Sequence, residues 1–234
     1  MAEAMKNSPL VTRAEVFAGL PSSVCTDILS TAHTIGFMCR QRLYFAGDRI
    51  EQVVLLTDGR VKLTQCGKDG TEIILRLCIP GELISERALV PGGRHSSTAQ
   101  ALQDCKALAW DSVTFEAALE RFPVLRCNAN RVLEQRLQEL ERRFCEVSTE
   151  MVAPRLAHQM VRLLKQIGHK VNGHVEINVT QEVLAQMTSM TAEVVCRLLK
   201  NWENQGLLRL RRKAIEIHSV PRFYAAASDR SHYF

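Results

Sequence analysis

Residues 180–217 read TQEVLAQMTSMTAEVVCRLLKNWENQGLLRLRRKAIEI. Two stretches of helical period are broken at TSM, and each is preceded by a threonine, Thr180 or Thr191, whose hydroxyl can satisfy a free amide of the first turn. Leu184, Ala185, Val195, Leu198 and Leu199 form one apolar face. Ala192, Glu193, Cys196, Arg197 and Lys200 fall on the opposite face of the second helix. LLRLRRKAIEI then alternates as a hairpin would, with Arg209, Arg211, Arg212 and Lys213 at its tip and edge. Two short helices joined by a tight turn form a helix-turn-helix, and a basic hairpin after it can serve as a phosphate-gripping wing. The expected DNA-binding residues are therefore Thr180, Gln181, Thr191, Ala192, Glu193, Cys196, Arg197, Lys200, Arg209, Arg211, Arg212 and Lys213. An arginine on such a face can fork onto guanine and a glutamate can accept from cytosine. The alternative for Glu193 and Arg197 is a surface ion pair four residues apart, worth a few tenths of a kcal/mol.

The charge pattern agrees with a polyanion partner. Residues 1–150 carry 18 Lys/Arg against 19 Asp/Glu, while residues 151–234 carry 12 against 6. The whole basic excess thus sits in the C-terminal third, around the helix-turn-helix. No apolar run is long enough to cross a bilayer. The N-terminus has acidic residues and no apolar core of a signal peptide, so a cytoplasmic location and no membrane partner are expected. The eight cysteines (Cys25, Cys39, Cys66, Cys78, Cys105, Cys127, Cys145 and Cys196) are scattered without a CxxC, which reads as reduced thiols. There is no GxSxG, HExxH, Walker loop or catalytic carboxylate pair, so an enzyme is not expected.

Upstream, LYFAGDRIEQVVLLTDGRVKLTQCGKDGTEIILRLCIPGELI (43–84) is a series of short apolar runs punctuated by AGD, TDG, GKDG and PGE turns. Residues 23–111 read as an antiparallel β-domain on this pattern. The period changes near residue 112, and Pro123 suits the first turn of a long helix. Along it Leu133, Leu137, Leu140, Phe144 and Val147 alternate at spacings of four and three with charged flanks, the seam of a helix that pairs with a copy of itself. The expected organisation is an N-terminal arm (1–22), a β-roll (23–111), a linker and dimerisation helix (112–150), a winged helix-turn-helix (151–220) and a C-terminal tail (221–234). The fold class is α+β.

These motifs, in this order from Val16 to Ile217, resemble the CRP/FNR transcription regulators. The turn-rich region resembles their cupin-like sensor β-roll, ERFPVLRCNANRVLEQRLQELERRF their dimerisation helix, and the opening stretch their DNA-binding motif. That motif carries a Glu-x-x-Ser-Arg core, here Glu193, Val194, Val195, Cys196 and Arg197. The resemblance implies a homodimer, an activator working with RNA polymerase, and a palindromic operator with TGA-like half-sites. Ala192 stands where many members carry arginine, and Cys196 replaces the usual serine.

The resemblance also places an effector pocket at Gly81, Glu82, Leu83, His95, Ser96, Leu140 and Glu141. The cyclic-phosphate arginine is replaced by His95, and the adenine-reading hydroxyl pair by Leu140 and Glu141, so cyclic AMP is not expected. An iron–sulfur cluster is not expected either, since only Cys25 and Cys39 lie near the N-terminus. The region is more similar to members sensing redox, oxygen or nitric oxide signals. Haem is the remaining cofactor candidate, with His33, Cys78, His95 and His158 as possible axial ligands. Two other readings stand beside this one: a regulator needing no small effector, and a ligand-binding module acting on a protein partner.

Overall fold

The computed structural model describes residues 14–84, 93–171, 173–212 and 214–228. They fall into two compact units divided between Glu139 and Leu140.

The first unit is built on seven antiparallel strands: β1 (His33–Phe37), β2 (Arg42–Tyr44), β3 (Gln52–Asp58), β4 (Val61–Cys66), β5 (Glu72–Cys78), β6 (Thr98–Ala101) and β7 (Cys105–Asp111). They form two sheets, ordered β1-β7-β3 and β2-β6-β4-β5. Leu56, Val61, Leu63, Cys78, Ile84, Ala99 and Ala101 fill one apolar core of this roll. The expected turns are present, with positive φ at Gly47, Gly59, Gly70 and Gly81. Gly59 is required twice over. Its φ is +93°, and a Cβ there would lie 2.5 Å from Cys105 Sγ and 2.6 Å from the Asp104 carbonyl.

Three segments differ from the sequence expectation. Residues 23–30, read as part of the β-region, belong to a helix, α1 (Ser22–Ser30), because Cys25, Ile28 and Leu29 recur at helical spacing and are all buried. Of the arm, Ala14, Val16 and Phe17 are buried, with Phe17 edge-on to Trp110 at 6.1 Å. Residues 1–13 lie outside the described residues. The tail contains a helix, α7 (Val220–Ser228), whose Phe223 is fully buried against Trp202. Residues 229–234 are outside the described set.

Helix α2 (Ser112–Arg121) precedes the long helix α3 (Pro123–Thr149), about 40 Å at 1.5 Å per residue. The N-terminal part of α3 is core: Leu125, Ala129 and Val132 are buried, and Asn128 donates from Nδ2 to the carbonyls of Val16 and Ala18. Leu133 packs partly against that core. Further along, Leu137, Leu140, Phe144 and Val147 are 56, 56, 72 and 51 % exposed. The expected seam is thus an uncovered apolar stripe from Leu137 onward.

The second unit contains α4 (Val152–Ile167), β8 (His169–Val171), β9 (His174–Ile177), α5 (Gln181–Thr188), α6 (Ala192–Asn204), β10 (Leu208–Arg211), β11 (Ala214–Ile217) and α7. Its four strands form one antiparallel sheet, β10-β11-β9-β8. Leu156, Met160, Leu163, Ile177, Leu184, Val195, Leu199, Trp202 and Ile217 are all fully buried, and α7 packs against α4.

Candidate nucleic-acid interface

Both threonine caps form as the sequence implies. Thr180 Oγ1 accepts from the Val183 amide at 3.2 Å, and Thr191 Oγ1 accepts from the Val194 amide at 3.4 Å. Between the two helices Ser189 adopts φ 55° and ψ 46°, a left-handed turn that ends α5 and redirects the chain within three residues. Val195, Leu198, Leu199 and Trp202 face the core along α6. Their burial forces the remaining positions outward. Thr191, Ala192, Glu193, Arg197 and Lys200 are exposed, and Cys196 is half-buried among them. Gln181, at the start of α5, borders the same surface.

This face lines a groove of about 1040 Å³ that is also lined by Met151, Val152 and Ala153. Glu193 and Arg197 form no ion pair with each other, so the four-apart surface bridge is not present. Glu193 is held below the usual carboxylate range by its own backbone amide and by the Thr191 hydroxyl. It is ionised at neutral pH, a pure hydrogen-bond acceptor.

A side chain of the helix ties down the hairpin. Glu203, in the last turn of α6, accepts from the Leu210 amide of β10 at 2.7 Å. Gly206, at φ +66°, makes the turn between them. The basic residues then divide. Arg209 and Arg212 are exposed, whereas Arg211 donates from Nε to Glu216 at 2.7 Å. Lys213 lies outside the described residues. Sequence reasoning did not single out Glu203 or Glu216. The alternation of the hairpin does place Glu216 across from Arg209, and that register was the available signal.

In the first unit the expected effector residues are not gathered into one place. Gly81, Glu82 and Leu83 line a cavity of about 240 Å³ together with Val132 and Arg136. Arg136 Nη2 sits 3.2 Å from Glu82 Oε1. His95 belongs to a separate cavity of about 660 Å³, with Leu43, Asp48 and Gln52 on its lining. Its ring lies flat on Tyr44, with centroids 3.4 Å apart and planes within 9°. Burial lowers the His95 pKa, opposed in part by Asp48, so the ring is neutral at pH 7. Ser96 is exposed and its carbonyl accepts from Gln65 Nε2. Leu140 and Glu141 are exposed on α3 beyond Glu139, in the second unit.

The four haem-ligand candidates have separate surroundings. His33 Nε2 is 3.2 Å from Gln52 Nε2. Cys78 is fully buried, 3.0 Å from Arg76 Nη2. His95 lies under Tyr44, and His158 lies between Glu150 and Tyr224 at 2.9 Å each. Arg76 itself was not anticipated. It is a guanidinium only 8 % exposed that donates to the Leu83 carbonyl at 2.8 Å. An arginine at an inward position of EIILRLC was its signal.

The sequence matches the cyclic nucleotide-binding domain over residues 36–122 and the Crp-like helix-turn-helix domain over residues 154–225. The chain belongs to the CRP/FNR family of transcription regulators. Among relatives in this family, it is 28 % identical to the cyclic AMP receptor protein of Thermus thermophilus, over 92 % of this chain and 95 % of the relative. It is 22 % identical to the CRP-like cAMP-activated global transcriptional regulator of Mycobacterium tuberculosis, over 91 % and 96 %. The fold is similar to that of FixK2 from Bradyrhizobium japonicum, with a TM-score of 0.75 at 18 % identity over 83 % of this chain and 96 % of that one. It is also similar to a CRP/FNR-family regulator from Thermus thermophilus, with a TM-score of 0.71 at 22 % identity over 85 % and 100 %. As a CRP/FNR-type regulator the chain is a DNA-binding protein and not an enzyme. Among the described residues no helix is long and apolar enough to cross a membrane.

Proposed function

We propose that this regulator is a homodimeric activator that reads a palindromic operator through α6 and holds the backbone through the β10–β11 hairpin. The observation that carries the reading is the outward face of α6, where Glu193 and Arg197 are exposed, unpaired with each other and rigidly mounted on a capped, core-anchored helix. Arg197 suits guanine and ionised Glu193 suits cytosine N4, consistent with TGA-like half-sites. Arg209 and Arg212 suit phosphate. Dimerisation through α3 is supported by the uncovered stripe of Leu137, Leu140, Phe144 and Val147.

The signal is read as redox-, oxygen- or nitric-oxide-related rather than cyclic AMP. Several relatives are named as cAMP-activated. In this chain the position matching the cyclic-phosphate arginine is His95, which is buried, stacked on Tyr44 and neutral. A neutral imidazole supplies no standing charge to a phosphate. Thiols are plentiful, with Cys39, Cys66, Cys127 and Cys145 exposed and Cys196 on the reader face. Cyclic AMP at 100 times a dissociation constant would stabilise the protein by about 2.7 kcal/mol. No shift of melting temperature or operator affinity is expected with millimolar cyclic AMP at pH 6 or pH 8.

The DNA reading is tested by operator selection on two variants. Arg197→Ala should relax base choice at one position, losing roughly 1–3 kcal/mol of discrimination. Arg212→Ala should weaken all DNA alike and reduce the log–log salt slope by about one unit. Identical sequence profiles and salt slopes for the two variants would refute the division between reader and wing.

A further inference from the structure

The sheet of the second unit has two unlike faces. Val175, Ile177, Leu208, Ile215 and Ile217 alternate toward the apolar side, with Ile177, Leu208, Ile215 and Ile217 buried. The other face carries ionisable groups in register. Glu216 of β11 pairs directly with Glu176 of β9, which pairs with His169 of β8. His174 lies two residues from Glu176 on the same strand, and hence on the same face. Two carboxylates directly opposite one another repel, and a fold keeps such a pair only where something offsets it.

We propose that His174 Nε2 and the carboxylates of Glu176 and Glu216 form a binding site for a divalent transition-metal ion. Their ligand atoms all lie within 4.8 Å of one another. His174 Nε2 is covered from solvent and has no hydrogen-bond partner, with Glu216 Oε1 4.0 Å away. An orphaned ring nitrogen facing two carboxylates is a donor set of one imidazole and two oxygens. Imidazole favours zinc, nickel, cobalt or copper over magnesium and calcium, and three protein ligands leave room for water. His169 Nε2, 3.5 Å from Glu176 Oε1, is placed to orient that carboxylate from the other side.

Arg211 now occupies the position of a competitor. Its guanidinium binds Glu216 at 2.7 Å, and Glu216 is only 7 % exposed. A dication between the carboxylates supplies the charge that Arg211 provides, and so weakens the hold on Arg211. On the DNA-binding reading this frees a wing cation for phosphate; that consequence rests on the reading, whereas the site does not.

The test uses the full-length reduced protein without DNA. Cobalt(II) is titrated and followed by visible absorption, and zinc is titrated in competition with a chelating dye. One ion per chain is expected, with weak ligand-field bands and no intense sulfur-to-cobalt band, which excludes the eight thiols as ligands. His174→Ala and Glu176→Gln should each weaken binding by at least the 10–100-fold typical of losing an outer-shell partner. Circular dichroism confirms their folding, and Glu176→Gln keeps the side-chain shape should His174→Ala unfold. Arg211→Ala should tighten binding several-fold by removing the competitor. Absence of stoichiometric binding, a thiolate band, or unchanged affinity in the folded ligand variants would overturn the site. Weaker binding in Arg211→Ala would overturn the competition.

Discussion

The reader surface of the second unit was expected from helical period and the effector pocket from family resemblance. The α6 residues of the former share one groove, while Gly81, Glu82, Leu83 and His95 of the latter do not. Ala192, Glu193, Cys196, Arg197 and Lys200 all reach one groove because they ride on a single helix whose opposite face is pinned by Val195, Leu199 and Trp202. A helical period is a local rule: burying one face fixes where the other points. Gly81, Glu82 and Leu83 line one cavity and His95 lines another. Where side chains arrive in a roll depends on strand register and bulges, such as those in the β4–β5 and β2–β6 pairings. The contrast separates function that is carried by one element from function that has to be assembled.

The largest effect that tests the contrast concerns α3, which belongs to both regimes. Its N-terminal part is buried within the first unit, while Leu137 and Phe144 are exposed. Replacing both with Asp should therefore leave the fold intact but abolish dimerisation, and with it operator binding. Analytical ultracentrifugation gives the answer. A double variant that remains dimeric would show that the stripe is not the seam.

A second, intermediate effect asks whether the reader helix is held as locally as claimed. The chain has two tryptophans, Trp110 in the first unit and Trp202 in the second. Leu199→Ala opens a cavity beneath α6 and should cost about 2–5 kcal/mol. In a Trp110→Phe background, Trp202 emission should report a lower melting temperature. In a Trp202→Phe background, the Trp110 transition should shift far less. Equal shifts at both tryptophans would mean that the reader helix depends on the whole molecule.

Legibility followed the same division. The two threonine caps, the turn at Ser189, the basic hairpin and the glycine turns of the roll could be read because each is set by neighbours a few residues away. The uncovered stripe from Leu137 was legible for the same reason. Helix α1 was missed because the β-pattern of residues 43–84 was extended backward over SSVCTDILS, which has its own helical period after Pro21. Helix α7 was missed because VPRFYAAAS is short, and its anchor is a tertiary contact of Phe223 with Trp202. The pairing of Arg211 with Glu216 and the buried state of Arg76 needed the strand register. Arg209, Arg211 and Arg212 of the hairpin look equivalent in sequence, yet Arg211 is the one that donates to Glu216 through Nε.

The smallest effect concerns His95, the least local of the expected site residues. Its ring is buried against Tyr44, its amide donates to the Asp48 carbonyl at 3.0 Å, and its carbonyl accepts from the Gly47 amide at 2.7 Å. Burial lowers its pKa below the ordinary value near 6.5, and the nearby Asp48 only partly restores it. Over the window from pH 6.5 down to the folded-state value, the unfolded chain therefore binds a proton that the folded chain does not. The slope of unfolding free energy with pH is positive wherever the unfolded state holds more protons, so this group's contribution is full above pH 6.5 and is lost as the solution is acidified. His95→Gln keeps a polar planar group but cannot titrate. The variant is expected to lose some stability at pH 8 and to show a shallower fall in melting temperature between pH 6.5 and pH 5 than the parent. Equal slopes for parent and variant would show that His95 is protonated as readily in the fold as outside it. A steeper slope in the variant would show that the folded state favours the cation, restoring to His95 the charge that a bound phosphate needs.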